Sequence, residues 1–386
     1  MKILVIGGIA RSLLNFRGDL LKDMLREGHE VHTAAGETSE EDKINLQSIG
    51  VRHHALNLSR ASIDIISDAK IFISIWKLCR EIHPNLVFCY TIKPATIGVL
   101  SSSLVGANRI CVMITGLGYA FENDKSIIAY IAALLYKISL SRCNVVIFQN
   151  KDNEKYFRKR HILSKASNVQ IVNGSGVNTD YFDYSAPRQD PLSFLMICRL
   201  LRTKGVNEYV SAACEVKKVY PQALFYLIGD VDSNPNSISI EQVEMWNKEG
   251  IVNYLGPKTD VRPWLRDCSV YVLPSYNEGL PRTILEAMSI GRPIITTDVP
   301  GCRDTIEFDT ASKKSASIEY KGNKIKKGSN GLLVPARNVE ALVAAILYLI
   351  ENPDERETMG LRSRELACSK FDVKKVNAKM KEYLGY

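Results

Sequence analysis

No Cys-x-x-Cys pair occurs in the 386 residues, and the nine cysteines are dispersed along the chain. An odd, scattered set argues against a disulfide framework or a thiolate zinc site and reads as buried thiols. The six histidines (His29, His32, His53, His54, His83, His161) show no metal-ligand spacing. No Gly-x-Gly-x-x-Gly follows the first apolar run, which leaves dinucleotide oxidoreduction poorly supported. No Gly-x-x-x-x-Gly-Lys-Ser/Thr exists, which excludes a P-loop kinase. Short-period repeats and low-complexity tracts are missing too.

What is present is a globular composition, 46% hydrophobic and 24% charged, in a length suited to two α/β domains. Met1-Lys2 leads straight into Ile3-Leu4-Val5-Ile6-Gly7-Gly8. That run is too short for a signal peptide and reads as the buried first strand of a parallel sheet, so a cytosolic location is expected. The net charge is +8, and residues 51–180 alone hold 16 Lys and Arg against 8 Asp and Glu. An excess gathered in one half suggests a polyanionic partner: nucleic acid, anionic lipid or a diphosphate substrate.

Strand-like apolar runs at 2–7, 30–34, 86–90, 109–114 and 144–148 alternate with amphipathic stretches such as 19–27 and 66–81. A polar, turn-rich break covers Asn173-Gly174-Ser175-Gly176 and residues 181–191. The alternation then restarts with strands at 192–198, 224–228, 251–255, 269–273 and 293–297 and helices at 206–219 and 281–289. Repeated βα units predict two doubly wound domains, residues 1–185 and 186–365, followed by a helical tail at 366–386. Ligands are expected at the carboxyl ends of the strands, in a cleft between the domains.

Two further stretches bear on membranes. Residues 125–142 hold about a dozen mostly apolar positions before Lys137, fewer than the roughly 20 that span a bilayer, which leaves a buried or interfacial helix. Residues 59–80 form a basic amphipathic helix, with Arg60, Lys70, Lys77 and Arg80 flanking Ile71, Phe72, Ile75 and Trp76. Such a helix suits either an ordinary domain surface or anionic headgroups.

The most informative segment is Pro274-Ser275-Tyr276-Asn277-Glu278-Gly279-Leu280-Pro281, running on to Glu286. A strand ends at Leu273, a short loop carries Glu278 and Gly279, and Pro281 occupies the expected first helical position. The N–H groups that follow make an anion site, and two carboxylates eight positions apart project from loop and helix. Arg199 ends the strand at 192–198, and Lys204 follows just before Gly205. A planar fork and a point charge together suit a diphosphate, and fixed cations there stabilise the charge that builds as it departs.

These motifs resemble the retaining glycosyltransferases of the GT-B fold, in the group with a Glu-x7-Glu motif, and the resemblance runs through nearly the whole chain. It implies an α/β fold of two Rossmann-like domains with a cleft between them. It implies that Glu286 holds the ribose of a nucleotide, that Glu278 contacts the donor sugar, and that Arg199 and Lys204 stabilise the leaving diphosphate. Arg199, Lys204 and Glu278 are thereby the expected catalytic residues. Gly8, Tyr254, Pro257, Gly279, Leu280 and Pro281 join them and Glu286 as donor-binding residues. Val172–Val177 is similar to the start of the family's interdomain link. Asp298-Val299-Pro300-Gly301 and Asn330-Gly331-Leu332-Leu333-Val334 are similar to its loops near the donor sugar.

Many members carry a histidine in the N-terminal domain where this chain has Thr115-Gly116-Leu117-Gly118-Tyr119. That loop resembles a bacterial subgroup adding N-acetylgalactosamine in α-1,3 linkage to a sugar on undecaprenyl diphosphate. Leu58-Ser59-Arg60-Ala61-Ser62, Asp232-Ser233-Asn234-Pro235 and Pro300-Gly301-Cys302 do so too. Arg60, Gly116 and Gly118 are the implied acceptor residues. The implied partners are a UDP-sugar, a polyprenyl-diphosphate-linked sugar and the anionic inner face of the cell membrane, with no nucleic acid, cofactor or metal. Asp230-Val231-Asp232, a metal signature of another transferase fold, reads here as a turn. Residues 310–329 look like an inserted basic loop.

Other chemistries remain. A nucleotide-sugar 2-epimerase shares the fold, and other donors such as UDP-GlcNAc or UDP-Gal fit the same motifs. Glycoside hydrolysis by paired carboxylates requires a carboxyl of raised pKa facing another across the sugar. A nucleotide-sugar sensor would bind without turnover.

Overall fold

A computed structural model describes all residues except 59–64, 119, 120, 122–125, 233, 235 and 309–316. The chain divides into two compact units, 1–175 together with 373–386, and 176–372. The division falls about ten residues before the position expected from the turn-rich break. The expected tail at 366–386 does not stand alone. Its last segment folds with the first unit, where Val376, Met380 and Leu384 enter the core beside Val5, Leu21 and Val172.

The first unit is a seven-stranded parallel sheet. Its strands are β1 (Lys2–Ile9), β2 (Glu30–Gly36), β3 (Arg52–Ala55), β4 (Leu86–Tyr90), β5 (Arg109–Ile114), β6 (Val145–Phe148) and β7 (Val169–Ile171). They lie in the order β3-β2-β1-β4-β5-β6-β7. β1 shows why a continuous apolar run becomes a central parallel strand. Ile3 and Val5 enter the core on one face, Leu4 and Ile6 the core on the other, and all four are fully buried. Helices Ile65–Ile82 and Ile127–Leu140 cover the second face, and helices Ala10–Arg26 and Val373–Leu384 the first. The order reverses between β1 and β4, so the carboxyl ends of these two strands flank a topological switch point.

The second unit repeats the plan with eight strands. They are β8 (Ser193–Ile197), β9 (Leu224–Ile228), β10 (Asn253–Tyr254), β11 (Val270–Leu273), β12 (Ile294–Thr297), β13 (Ser317–Tyr320), β14 (Asn323–Lys327) and β15 (Gly331–Val334). Their order is β10-β9-β8-β11-β12-β15-β14-β13. All pair in parallel except β13 with β14 and β14 with β15. This unit's switch point lies between β8 and β11.

The basic loop expected over 310–329 is, in its described part, an antiparallel hairpin that extends this sheet. Three of its four described lysines are engaged within the unit. Lys321 pairs with Glu351 at 3.0 Å, Lys326 with Asp298 at 2.5 Å and Lys327 with Glu355 at 2.5 Å. The alternation Ser317 to Tyr320 and Asn323 to Lys327 around Lys321-Gly322 is a hairpin pattern that the density of lysines masks. Lys313 and Lys314 lie outside the described residues.

Candidate functional site

Four loops at the carboxyl ends of neighbouring strands in the second unit build the site. β8 delivers Arg199 and, through a short turn, Lys204. β11 delivers Glu278, β9 delivers Asp230 and Asp232, and β12 delivers Asp298 to Gly301.

The loops after β8 and β11 are interlocked. Tyr276 N donates to Thr203 O at 2.9 Å, and Ser275 Oγ donates to the same carbonyl at 3.3 Å. Gly205 has φ +77°, and a Cβ there would stand 2.1 Å from Pro274 O, so only glycine admits this approach. Across the seam Lys204 Nζ donates to Glu278 Oε1 at 2.6 Å, both side chains being mostly buried. The loop after β12 closes on the same place. Glu278 N donates to Pro300 O at 3.3 Å, and Gly301, at φ +78°, lies beneath the carbonyls of Glu278 and Gly279.

Pro281 is the N-cap rather than the first helical residue, with extended backbone at ψ 111°, and the helix runs Arg282–Ile290. Glu286 is buried in it, and Arg282 Nε donates to its Oε1 at 2.9 Å. Burial raises the Glu286 carboxyl above its usual value, opposed by the charge and hydrogen bond of Arg282. Tyr276 donates to Glu208 Oε1 at 2.5 Å beneath the Arg337 guanidinium. Burial, then that hydrogen bond, pushes its phenol up to about 12, so it acts as a neutral donor.

Arg199 is exposed and donates from Nη1 to Asp232 Oδ2 at 2.5 Å. Asp232 is itself fixed: its N donates to Ser237 Oγ, and its Oδ1 accepts from Asn234 N, each at 3.0 Å. No cluster of three metal-ligating side chains occurs among the described residues. Three cation–carboxylate pairs therefore line one end of one sheet. A diphosphate is a stronger bidentate acceptor than a single carboxylate oxygen, so cations paired in this way can exchange onto one.

The family described as "Glycosyl transferase 4-like" matches residues 9–150, and the family described as "Glycosyl transferases group 1" matches residues 191–352, the stretch holding Arg199, Lys204, Glu278 and Glu286. The chain belongs to the GT-B glycosyltransferases. Among curated relatives it is similar to the Campylobacter jejuni N,N'-diacetylbacillosaminyl-diphospho-undecaprenol alpha-1,3-N-acetylgalactosaminyltransferase, 27% identical over 79% of this chain and 83% of that one. It is also similar to the Escherichia coli UDP-Gal:alpha-D-GlcNAc-diphosphoundecaprenol alpha-1,3-galactosyltransferase, 26% identical over 64% and 67%. Among solved structures it is similar to Anabaena Alr3699/HepE in complex with UDP, with TM-score 0.74, 16% identity and coverage of 100% and 99%.

In this glycosyltransferase the sequence-expected residues fall into two groups. Arg199, Lys204, Glu278, Gly279, Leu280, Pro281 and Glu286 gather at the β8–β11 switch point. Tyr254 ends β10, and its hydroxyl donates to Gly229 O at 2.9 Å; exposed Pro257 follows it. Gly8 lies near the end of β1 and Gly116 and Gly118 on the loop after β5, all three in the first unit, and Arg60 lies outside the described residues. A Cβ on Gly8 would sit 2.9 Å from Thr91 Oγ1, and one on Gly118, at φ +70°, 2.4 Å from Ile92 Cδ1.

Sequence reasoning passed over Thr91 and Arg282. Thr91 directly follows β4 at φ +70°, an outlier for a β-branched residue, and its buried hydroxyl has no hydrogen-bond partner among the described residues. Nothing in the residue pattern signals it. Arg282 was legible in its i, i+4 spacing to Glu286.

Proposed function

We propose that the chain is a retaining transferase of bacterial glycan assembly, moving a sugar from a UDP-sugar to a sugar on a polyprenyl diphosphate. N-acetylgalactosamine in α-1,3 linkage is the best-supported transfer. The observation that carries the reading is the Lys204–Glu278 pair at the switch point, with Arg199 beside it and Glu286 behind it. Glu286 accepts from the ribose hydroxyls, and Glu278 orients the donor sugar. Arg199 and Lys204 take the β-phosphate oxygens as the anomeric C–O bond breaks and UDP leaves with the electron pair. The acceptor hydroxyl forms the new bond on the same face and passes its proton to the departing phosphate. Catalysis is then positioning and leaving-group stabilisation. The names of the two relatives support the lipid-diphosphate acceptor and the α-1,3 linkage, and the UDP complex of HepE supports the nucleotide. The E. coli relative favours galactose as the second donor reading. A lipid-linked acceptor implies work at the inner face of the cell membrane.

A donor panel tests this. UDP-GalNAc, UDP-GlcNAc, UDP-Gal and UDP-Glc are offered with a GalNAc-diphosphate-lipid acceptor, following UDP release and product mass. Acceptor-dependent release from UDP-GalNAc alone is expected. Release from another donor changes the sugar, and interconversion of the sugars without acceptor overturns the transferase reading.

A further inference from the structure

Helix Ile127–Leu140 is apolar on both sides. Its inner side packs Ala129, Tyr136 and Leu140 into the core of the first unit. Its outer side leaves Ile127, Ile128, Tyr130, Ile131, Leu134, Leu135 and Ile138 exposed, with Ile127 at 78%, Tyr130 at 64% and Leu134 at 59%. Positions 127, 130, 131, 134 and 138 recur at helical spacing and make one continuous ridge. Soluble proteins seldom expose apolar patches beyond a few hundred Å² without a partner. Helices on the other face of the same sheet contrast with this: Ala10–Arg26 exposes Phe16 and Glu40–Ser48 exposes Ile44, one large apolar side chain each. The short helix Val99–Leu104, which packs against this helix, also exposes Leu104.

The helix has 14 residues, about 21 Å of length, against a hydrocarbon core of about 30 Å. No described helix is long and apolar enough to cross a membrane. Such a ridge lies in an interface rather than through it.

The charge on the ridge's own described segment has one sign. Residues 126–142 contain Lys137 and Arg142, both exposed, and no carboxylate. Helix Lys151–Lys159 packs alongside through Tyr136 and Phe157, whose rings are 5.2 Å apart, and it ends in Arg158, paired with Glu154 at 2.7 Å, and exposed Lys159. The Arg160 guanidinium stands 5.9 Å from the Tyr130 ring. A tyrosine and cations bordering exposed isoleucine and leucine match the boundary between acyl chains and headgroup phosphates. A second copy of the chain would set these cations against each other, whereas anionic lipid neutralises them.

We infer that the outer ridge of helix Ile127–Leu140 docks the protein on an anionic lipid bilayer, its apolar side chains entering the acyl boundary and Lys137, Arg142 and the Lys159–Arg160 pair meeting headgroup phosphates. The inference rests on the proposed lipid-linked acceptor for its purpose, and its test needs neither donor nor acceptor. Full-length protein is sedimented with phosphatidylethanolamine vesicles containing phosphatidylglycerol and with phosphatidylcholine vesicles alone. Wild type is expected to pellet with the anionic vesicles and only weakly with the neutral ones. Ile131→Gln/Leu134→Gln keeps charge and helix propensity and is expected to lower partitioning by about tenfold or more. Phe16→Gln/Ile44→Gln, on the opposite side of the sheet, is expected to pellet as wild type does. Equal melting temperatures of the variants exclude unfolding as the cause. Wild type left in the supernatant, equal pelleting with neutral vesicles, or undiminished pelleting of the ridge variant overturns the inference. So does a wild-type dimer that the ridge variant turns monomeric, which would assign the ridge to a second copy. Transfer to a short-chain soluble acceptor is measured in parallel. Its absence in wild type would defeat the transferase reading and leave the vesicle result standing.

Discussion

Lys204 Nζ and Glu278 Oε1 lie 2.6 Å apart, although 74 positions separate them in the chain. The pair joins the loops after β8 and β11, so one contact fixes both the cation proposed to meet the leaving group and the carboxylate proposed to orient the sugar. Lys204→Ala is expected to lower kcat on the order of 10²–10³-fold, because it removes charge stabilisation that grows toward the transition state. KM for the donor is expected to change less. Steady-state UDP release measures both, and undiminished turnover would remove Lys204 from the reaction.

Glu286 carries a prediction in pH. Burial raises its carboxyl above the usual 4.5. Between 4.5 and that raised value the folded chain holds a proton that the unfolded chain has lost, so stability falls as pH rises through this window and is level on either side. Glu286→Gln is expected to flatten that segment of a melting-temperature profile. Under the proposed ribose role donor affinity runs the opposite way, since the ionised carboxylate is the better acceptor for ribose hydroxyls. UDP binding by calorimetry is expected to weaken as pH drops through the same window in wild type. Affinity of Glu286→Gln that matched wild type at neutral pH would refute the ribose role.

Gly301 packs closely against the loop that carries Glu278. A methyl group there would stand 2.5 Å from the carbonyl oxygens of both Glu278 and Gly279, at a backbone φ of +78°. Neither carbonyl is the end of a flexible side chain, so the loop itself must shift. Gly301→Ala is expected to cost about 1–3 kcal/mol of stability and to reduce turnover at least tenfold through displacement of Glu278. A variant that melts lower yet turns over normally would show that the loop tolerates the shift.

Alternation and spacing made most of this architecture legible. Helix Val206–Val219 and strands Leu86–Tyr90, Arg109–Ile114 and Leu224–Ile228 stand at the bounds that periodicity predicts, because each is a run bounded by turn residues and buried on a regular face. That Glu278, Arg199 and Lys204 stand on loops at strand ends, with Glu286 in the helix that follows, was readable because pattern alone locates those strand ends. What escaped depends on tertiary approach. Thr91 takes its conformation from the packing after β4, and nothing local announces a threonine at positive φ. The 317–327 hairpin was hidden because its lysines read as solvated charge, whereas Glu351, Glu355 and Asp298, from elsewhere in the unit, pair with three of them. The return of 373–386 to the first unit is equally non-local: Asn377 donates to Asp23, 354 positions away.

His53 sets an acid limit on the first unit. Its ring lies between Thr33 Oγ1, 3.0 Å from Nδ1, and Thr38 Oγ1, 3.1 Å from Nε2. Burial, with a contribution from His54, pushes its pKa down to about 4 from 6.5. Between these values the unfolded chain binds a proton that the folded chain refuses, so stability present above pH 6.5 is lost as pH falls toward 4. Allowing for solvent at this partly exposed ring, the loss is about 1 kcal/mol, or about 2–4 °C in melting temperature. His53→Gln is expected to reduce the slope between pH 6.5 and 5. An unchanged slope would place the acid sensitivity at other groups.

Asp232 decides whether the Asp-x-Asp run serves a metal or an arginine. Its Oδ2 is 2.5 Å from Arg199 Nη1, and its Oδ1 accepts from Asn234 N within a turn that Ser237 pins to Leu200 O. A divalent ion would have to displace the guanidinium from this carboxylate. Positioning of Arg199 therefore predicts that EDTA leaves turnover intact. It also predicts that Asp232→Ala, by freeing the guanidinium to wander, raises donor KM about 3–10-fold, the loss of one charge-assisted contact. A metal role predicts the reverse pattern: activity lost in EDTA and restored by Mn²⁺, with Asp230→Ala as damaging as Asp232→Ala. Asp230 Oδ1 accepts only from the neighbouring Val231 N among its described contacts. The two aspartates are thus expected to differ in effect, and an equal loss from both, rescued by metal, would overturn the assignment of Asp232 to Arg199.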